Sequence, residues 1–178
     1  MITSDEMQEL ERRAIESGTS EETLMERAGR GAAHVVQQEY SFDSVLLFAG
    51  GGNNAGDGFV LARYLDCPVS VIRLKELDDL PQNQFEQVDW TPADCTADMI
   101  IDAMLGTGIE GSLREPIASA VPFFNALEAE KVALDVPTGL HPDTGEGNVY
   151  CDADLTLCFH DRKPGVPDPV EIVDIGLA

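Results

Sequence analysis

A run of glycine, asparagine and aspartate between an apolar segment and a helical pattern is the clearest candidate for chemistry in this sequence. Residues Gly50–Gly58 read Gly-Gly-Gly-Asn-Asn-Ala-Gly-Asp-Gly and follow the apolar run Val45–Phe48. Glycine lets another molecule approach the backbone closely, and the free N–H groups at a helix start favour an anion. The segment therefore predicts a phosphate or nucleotide site, with a polar turn that only caps the next helix as the alternative.

The two glycine-rich segments differ in how they match the known phosphate-binding motifs. No Gly-Lys-Ser/Thr follows Gly50–Gly58, so this loop is not a P-loop. Residues Gly106–Gly111 do match G-x-G-x-x-G after an apolar run, but Arg114 and Pro116 interrupt the helix that should follow. We interpret this second loop as another anion contact, and a plain glycine turn is its alternative.

Polar side chains stand at the ends of three predicted strands. Asn53 and Asn54 follow the first of them, Asp102 lies near the end of the third, and Asp135 ends the fourth. In open α/β sheets ligands bind beyond the carboxyl ends of the strands, so we expect these groups to converge. The oxygens of Asn54, Asp102 and Thr138 suit a hard cation better than zinc or copper.

The alternation of helical and apolar patterns predicts a parallel sheet with helices on both faces. Residues 4–17 and 20–39 predict helices, each with a proposed capping box, Thr3–Glu6 and Thr19–Glu22. Strands are predicted at 45–48, 68–72, 99–103, 132–134, 154–159 and 170–173, and helices after the glycine loop, near 82–88 and over 116–127. We expect one domain that spans residues 1–178.

The charge balance limits the possible partners. The 178 residues carry 33 acidic and 11 basic side chains, a formal net charge of −22. Such a surface argues against nucleic acid and anionic membranes, and it suggests a protein adapted to high salt. We expect a cytoplasmic protein, because no apolar run is long enough to span a membrane and no secretory pattern opens the chain. The four cysteines show no metal-binding spacing, and we interpret them as reduced.

Five segments together resemble the NAD(P)H-hydrate epimerases, the YjeF N-terminal domain family. They are Leu24–Gly29, Gly50–Gly58, Ile101–Gly108, Asp135–Leu140 and Ala153–Lys163, in the order and spacing of that family. The resemblance implies a Rossmann-like three-layer α/β/α sandwich with a mostly parallel sheet, as a homodimer. It also implies interconversion of the R and S epimers of hydrated NADH or NADPH, with a bound potassium ion and a separate NAD(P)HX dehydratase as pathway partner.

The same resemblance implies site residues, position by position. Contacts to the nucleotide are implied for Asn53, Asn54, Ala55, Gly56, Asp57, Gly106, Thr107, Gly108, Ile109, Glu110, Gly111, Ser112 and Asp135. Asn54, Asp102 and Thr138 would hold the potassium ion; Thr138 stands where the family usually has serine and keeps the hydroxyl group. Asp135 would lie near the reacting ring, and we hypothesise that it is the catalytic acid/base.

Two other functions stay open at this point. A nicotinamide-dependent dehydrogenase would use Gly106–Gly111 and needs an acidic residue after the second strand, where Arg73 stands. A non-catalytic nucleotide-binding or scaffold member would keep the fold without the chemistry, although retention of Asn54, Asp102 and Asp135 favours catalysis. Lys163 lies in a polar loop and is interpreted as either a phosphate contact or a solvated side chain.

Overall fold

The chain forms a parallel sheet with helices on both faces, which confirms the predicted fold class. The computed structural model describes residues 1–75, 86–87, 95–108 and 111–177, with residues 86 and 87 described by their backbone alone. Its helices are α1 (Ser4–Glu16), α2 (Glu21–Glu39), α3 (Asn53–Arg63) and α4 (Ile117–Ala126). Its strands are β1 (Val45–Ala49), β2 (Val69–Arg73), β3 (Glu86–Gln87), β4 (Met99–Ala103), β5 (Glu130–Leu134), β6 (Leu155–Phe159) and β7 (Val170–Val173).

In the sheet, β1 lies between β2 and β4, so the chain continues on both sides of it. The order is β3-β2-β1-β4-β5-β6-β7, and every pairing is parallel. After β1 the chain runs outward through β2 and β3, then returns to pair β4 on the other side of β1. The loops after β1 and β4 therefore leave the same sheet edge side by side, at the position where open α/β sheets bind ligands.

Two apolar layers cover the sheet because alternate strand residues face opposite sides. On one face, helices α1 to α3 pack against Val45, Leu47, Met99 and Ile101. On the other, Ala120, Val121 and Phe124 of α4 pack against Leu46, Phe48 and Ile100. This arrangement makes the three layers of the expected sandwich, with β1 and β4 buried along their whole lengths.

The start of the second helix differs from the prediction. Thr3 caps α1 with Glu6 in the predicted reciprocal capping box. The N-cap of α2, however, is Ser20, whose hydroxyl accepts a hydrogen bond from the Thr23 amide. The capping box proposed at Thr19–Glu22 is therefore wrong: the helix begins one residue later, and serine is at least as good an N-cap as threonine.

The segment after β2 was the least well predicted. Residues Glu86–Gln87 pair with β2 as a short parallel strand, so the helix predicted near 82–88 is wrong for these two residues. The rest of that prediction lies outside the described residues. The edge strand predicted at 170–173 is confirmed as β7, and the four cysteines, all among the described residues, form no disulfide with one another. Among the described residues, no helix is long and apolar enough to cross a membrane.

Candidate functional site

A cavity opens at the carboxyl edge of the sheet, where the predicted polar groups meet. Its volume is about 400 Å³, which lies within the range of small-molecule sites. Its walls come from α1, α2, the start of α3, the loops that follow β1, β4 and β5, the end of β6 and the segment after β7. The lining residues are Met7, Gln8, Glu11, Ile15, Glu21, Leu24, Met25, Ala28, Gly52, Asn53, Asn54, Asp57, Met104, Leu105, Gly106, Thr107, Gly108, Asp135, Phe159 and Ile175.

The glycine loop after β1 forms one wall because it can pass directly against the loop after β4. A Cβ atom at Gly50 would lie 1.9 Å from the Met104 carbonyl oxygen, so only glycine fits there. No side chain caps the N-terminus of α3, which begins behind Gly52. The first N–H groups of a helix have no partner within it, so this helix start offers the cavity hydrogen-bond donors suited to an anion.

A hydrogen-bonded network joins the ends of β4 and β5 beneath the cavity. Asp102 is completely buried, and its Oδ1 accepts hydrogen bonds from the Thr138 hydroxyl at 2.7 Å and the Met104 amide at 3.1 Å. Its Oδ2 accepts one from the Thr138 amide at 2.7 Å. Burial raises the pKa of Asp102, and the hydrogen bonds from Thr138 oppose that rise. The Leu105 amide donates to the Thr138 hydroxyl at 3.0 Å, which connects the network to the next loop.

Asn54 completes this network and leaves one polar atom without a partner. Its Nδ2 donates to the Leu105 carbonyl at 2.9 Å, but its buried Oδ1 accepts no hydrogen bond within the described part of the chain. An unpartnered buried oxygen is costly, and a cation would satisfy it. The donor set of Asn54, Asp102 and Thr138 consists of oxygens, as hard cations prefer. The residues present therefore fit a bound potassium ion.

Asp135 lies in the cavity wall at the end of β5 with an unusual backbone. Its φ angle is +64°, in the left-handed region that aspartate and asparagine tolerate better than most side chains. Its carboxylate forms an ion pair with Lys163, which is fully buried, and its Oδ1 also accepts a hydrogen bond from the Phe159 amide at 3.3 Å. Lys163 is thus neither the phosphate contact nor the solvated residue that the sequence suggested.

Two further carboxyl groups share the cavity with Asp135. Burial raises the pKa of Asp57 well above its usual value, and the nearby charges of Asp135 and Glu11 raise it further. Burial also raises the pKa of Glu11, and the charge of Asp135 adds to this effect. The buried ammonium of Lys163 opposes both shifts. The cavity is therefore an acidic site in which at least one carboxyl group holds a proton more readily than it would in water.

The predicted site residues divide into those that line the cavity and those that do not. The cavity walls include Asn53, Asn54, Asp57, Gly106, Thr107, Gly108 and Asp135. Ala55 is buried in the apolar core, and Gly56 packs against Met25. Gly111 and Ser112 are exposed and outside the lining set, whereas Ile109 and Glu110 fall outside the described residues.

The cavity wall formed by α1 and α2 was not predicted from the sequence. Glu11 of α1 faces Asp57 and Asp135 in the cavity, and Glu21 of α2 accepts a hydrogen bond from Asn53 Nδ2 at 2.7 Å. Both residues lie in charged helical stretches, which are typical of solvent-exposed helix faces. The one signal in the sequence was the Leu24–Gly29 segment of the family resemblance, which lies in α2.

A family model matches most of this chain, and it is the model of the family that the sequence resembles. The model for the YjeF-related protein N-terminus matches residues 21–165. This chain belongs to that family. The expected Rossmann-like sandwich is supported independently by the crystal structure of a yeast protein, which superposes with a TM-score of 0.79 at 23% identity and covers 93% of this chain and 82% of the yeast chain.

Curated relatives fall into two groups. The "NAD(P)H-hydrate epimerase" of Nitrosopumilus maritimus is 37% identical and aligns over 93% of this chain and 87% of its own length. The "Bifunctional NAD(P)H-hydrate repair enzyme Nnr" of Archaeoglobus fulgidus is 42% identical over 99% of this chain, but the chain spans only 41% of that relative. Members of this family therefore occur at about the length of this chain and as part of longer proteins.

Proposed function

We propose that this protein is an NAD(P)H-hydrate epimerase, which interconverts the R and S forms of hydrated NADH or NADPH. The observation that carries the proposal is Asp135, an ionisable side chain held in the wall of the cavity by Lys163 and by the Phe159 amide. Relatives named NAD(P)H-hydrate epimerase align over nearly the whole chain, which supports the same reaction. The ionisable groups of the cavity and the uncapped start of α3 support it as well.

The chemistry needs one proton carrier and a site for a cation. In the hydrated nicotinamide ring a hydroxyl group stands on a carbon beside the ring nitrogen. When the hydroxyl oxygen is protonated, water leaves and the nitrogen lone pair forms an iminium-like ring. Water then adds to the opposite face and loses a proton. Asp135 would supply and recover that proton, and its carboxylate would stabilise the positive ring between the two steps.

The geometry also provides for the charged end of the substrate. The diphosphate of a nicotinamide nucleotide is anionic, and the protein carries a formal net charge of −22 that would repel it. The uncapped start of α3 at Gly52 and Asn53 offers backbone N–H groups to such an anion. The loop at Gly106–Gly108 lies against the same helix start, since a Cβ atom at Gly106 would be 3.4 Å from the Asn54 Cβ.

Replacement of Asp135 by asparagine tests the proposal. Asparagine has a similar shape and tolerates the left-handed backbone, so the fold should persist while proton transfer is lost. We expect Asp135→Asn to reduce epimer exchange by about 100-fold or more, measured by chromatographic separation of the two epimers. Binding of the nucleotide, measured by calorimetry, should change little.

The matched control is Asp152→Asn, which alters an exposed aspartate outside the cavity. This variant should exchange the epimers at the wild-type rate. Full activity of Asp135→Asn would refute the assigned role. Hydride transfer to or from the nucleotide by the wild-type protein, followed by the change in absorbance of the reduced nicotinamide ring, would favour the dehydrogenase alternative instead.

We also propose that potassium binds Asn54, Asp102 and Thr138. The unpartnered Asn54 Oδ1 beside a buried network of Asp102 and Thr138 supports this site. When bound, the ion would offset negative charge between the Asp102 carboxylate and the substrate diphosphate. Wild-type protein should melt at a higher temperature in potassium chloride than in an equal concentration of tetramethylammonium chloride.

The Asn54→Ala variant should lose this potassium-specific increment in melting temperature. Asn125→Ala is the control, because Asn125 donates to the Tyr150 carbonyl at 2.8 Å and is outside the cavity lining. Equal melting temperatures of the wild-type protein in the two salts would count against the ion site. The homodimer and the separate NAD(P)HX dehydratase remain predictions, which sedimentation and a coupled dehydration assay would test.

A further inference from the structure

We propose that Lys163 is a positioning residue for Asp135: its buried ammonium holds one oxygen of the carboxylate and leaves the other for the substrate. This inference rests on the proposed epimerase function, because it assigns Asp135 the reacting role. Neither the family match nor the relatives' names assign a function to this lysine. It is one of only three lysines in the chain, with Lys75 and Lys131.

The burial of Lys163 is the first observation. Its side chain is 0% exposed, although it follows β6 in a loop of polar residues. A buried ammonium is costly unless it is paired and hydrogen-bonded. Here Nζ pairs with Asp135 and donates a hydrogen bond to the Phe159 carbonyl at 3.0 Å. Such a group is retained at a cost, which indicates a role that a neutral side chain could not fill.

The second observation is which oxygen of Asp135 the protein holds. Within the described part of the chain, Lys163 Nζ and the Phe159 amide both reach Oδ1, and no hydrogen bond reaches Oδ2. Asp135 keeps 12% of its side chain exposed and lines the cavity. The carboxylate is therefore anchored along one edge, and Oδ2 is the oxygen left to meet a ligand.

The third observation is the charge around the pair. Glu11 of α1 and Asp57 of α3 lie close enough to interact with Asp135, and burial together with the charge of Asp135 raises the pKa of each. Three other titratable groups lie near the pair. The charge of Glu21 raises the pKa of Glu11, and Cys158 and Arg162 lie beside Lys163. The ammonium of Lys163 opposes both shifts, so it is the buried positive charge that offsets the acidic groups around Asp135.

The test compares Lys163→Met, Lys163→Arg and the control Lys131→Met in the full chain. Lys131 is a half-buried lysine at the start of β5, at the opposite edge of the sheet, where it donates to the Leu127 carbonyl at 2.7 Å. We expect Lys163→Met to lower kcat by about 100-fold with little change in KM, because the reacting group is misplaced while the binding walls remain. Lys163→Arg should recover part of this loss, and Lys131→Met should behave as wild type.

The pH profile separates positioning from a merely structural role. Removal of a positive charge from beside a reacting acid/base group moves the pH dependence of the reaction upwards, so the profile of kcat in Lys163→Met should move to higher pH. A kcat that falls while the profile stays in place would overturn the proposal. Wild-type kcat and an unmoved profile in Lys163→Met would overturn it as well.

A measurement without substrate keeps this inference separate from the proposed function. We expect the urea midpoint to fall in Lys163→Met, which leaves a buried carboxylate unpaired, and to recover towards wild type in Lys163→Met with Asp135→Asn. Additive effects of the two substitutions would show that the residues do not act as a pair. If the wild-type protein has no epimerase activity but this coupling is present, the epimerase proposal fails and the pairing stands.

Discussion

Asp57 is a residue of the cavity wall whose surroundings disfavour the ionised form of its carboxyl group. It is half-buried in the cavity wall, and burial together with Asp135 and Glu11 raises its pKa well above the usual value. A carboxyl group whose pKa is raised on folding lowers stability at neutral pH, where the unfolded chain ionises it freely. At a pH below the pKa that Asp57 has in the unfolded chain, the carboxyl group is protonated in both the folded and the unfolded state, and this loss of stability is absent.

The Asp57→Asn variant should therefore be more stable than the wild type at pH 8, by an amount that shrinks as the pH falls towards about 4. Urea unfolding across this pH range measures the difference. Asp66→Asn, at an exposed aspartate after α3, is the control and should leave stability unchanged at every pH. A stability gain for Asp57→Asn that is independent of pH would contradict the explanation.

Individual site residues differed in how far the sequence could predict them. Asn54 and Asp135 were predicted because strand ends in an open sheet face one edge, whatever the side chains around them. The burial of Lys163 against Asp135 was not predicted, because it depends on how the loop after β6 folds over the end of β5. Glu11 was missed for a related reason: its helix packs by Met7, and nothing local shows that a neighbouring charge turns towards the cavity.

At the level of elements, the N-cap of α2 matters because this helix carries one wall of the cavity. Ser20 accepts a hydrogen bond from the Thr23 amide at 3.2 Å, whereas Thr19 provides only its backbone amide, which donates to the Ala14 carbonyl. The apolar pattern predicted most helices and strands, since β1 is a continuous apolar run, β4 is apolar except for Asp102, and α2 has a clear apolar face. It could not choose between two adjacent hydroxyl residues that both suit a helix start.

Replacement of Ser20 by alanine should lower the free energy of unfolding by about 1 kcal/mol, because one amide at the helix start loses its acceptor. Thr19→Ala should change it by less than about 0.5 kcal/mol. Urea unfolding of the two variants beside the wild type provides the comparison. The opposite order of effects would restore the capping box that the sequence suggested at Thr19.

For the whole molecule, charge is the property that sets the response to solution conditions. The formal net charge is −22, and the ion pairs involving Arg12, Arg13 and Arg63 are exposed. Exposed pairs contribute little to stability, so repulsion among the remaining carboxylates dominates the long-range electrostatics. Dissolved salt reduces that repulsion, since the screening length falls from about 10 Å at 0.1 M to about 3 Å at 1 M.

The melting temperature should therefore rise between 0.05 M and 1 M sodium chloride, most steeply at the lower concentrations. Sodium chloride is preferred to the potassium salt in this scan because it limits the contribution of the proposed ion site. Sucrose at equal osmolality is the control, since it does not screen charge. A melting temperature that is unaffected by sodium chloride would argue against adaptation to high salt.

The cavity also affects where the protein can be cut for expression. The family match begins at residue 21 and stops at 165, yet Met7 and Glu11 on one side and Ile175 on the other form part of the cavity wall. A fragment trimmed to those limits would lose α1 and β7 and expose the pocket to solvent. Residues 1–20 and 166–177 should be kept in any shortened version intended for ligand screening or crystallisation.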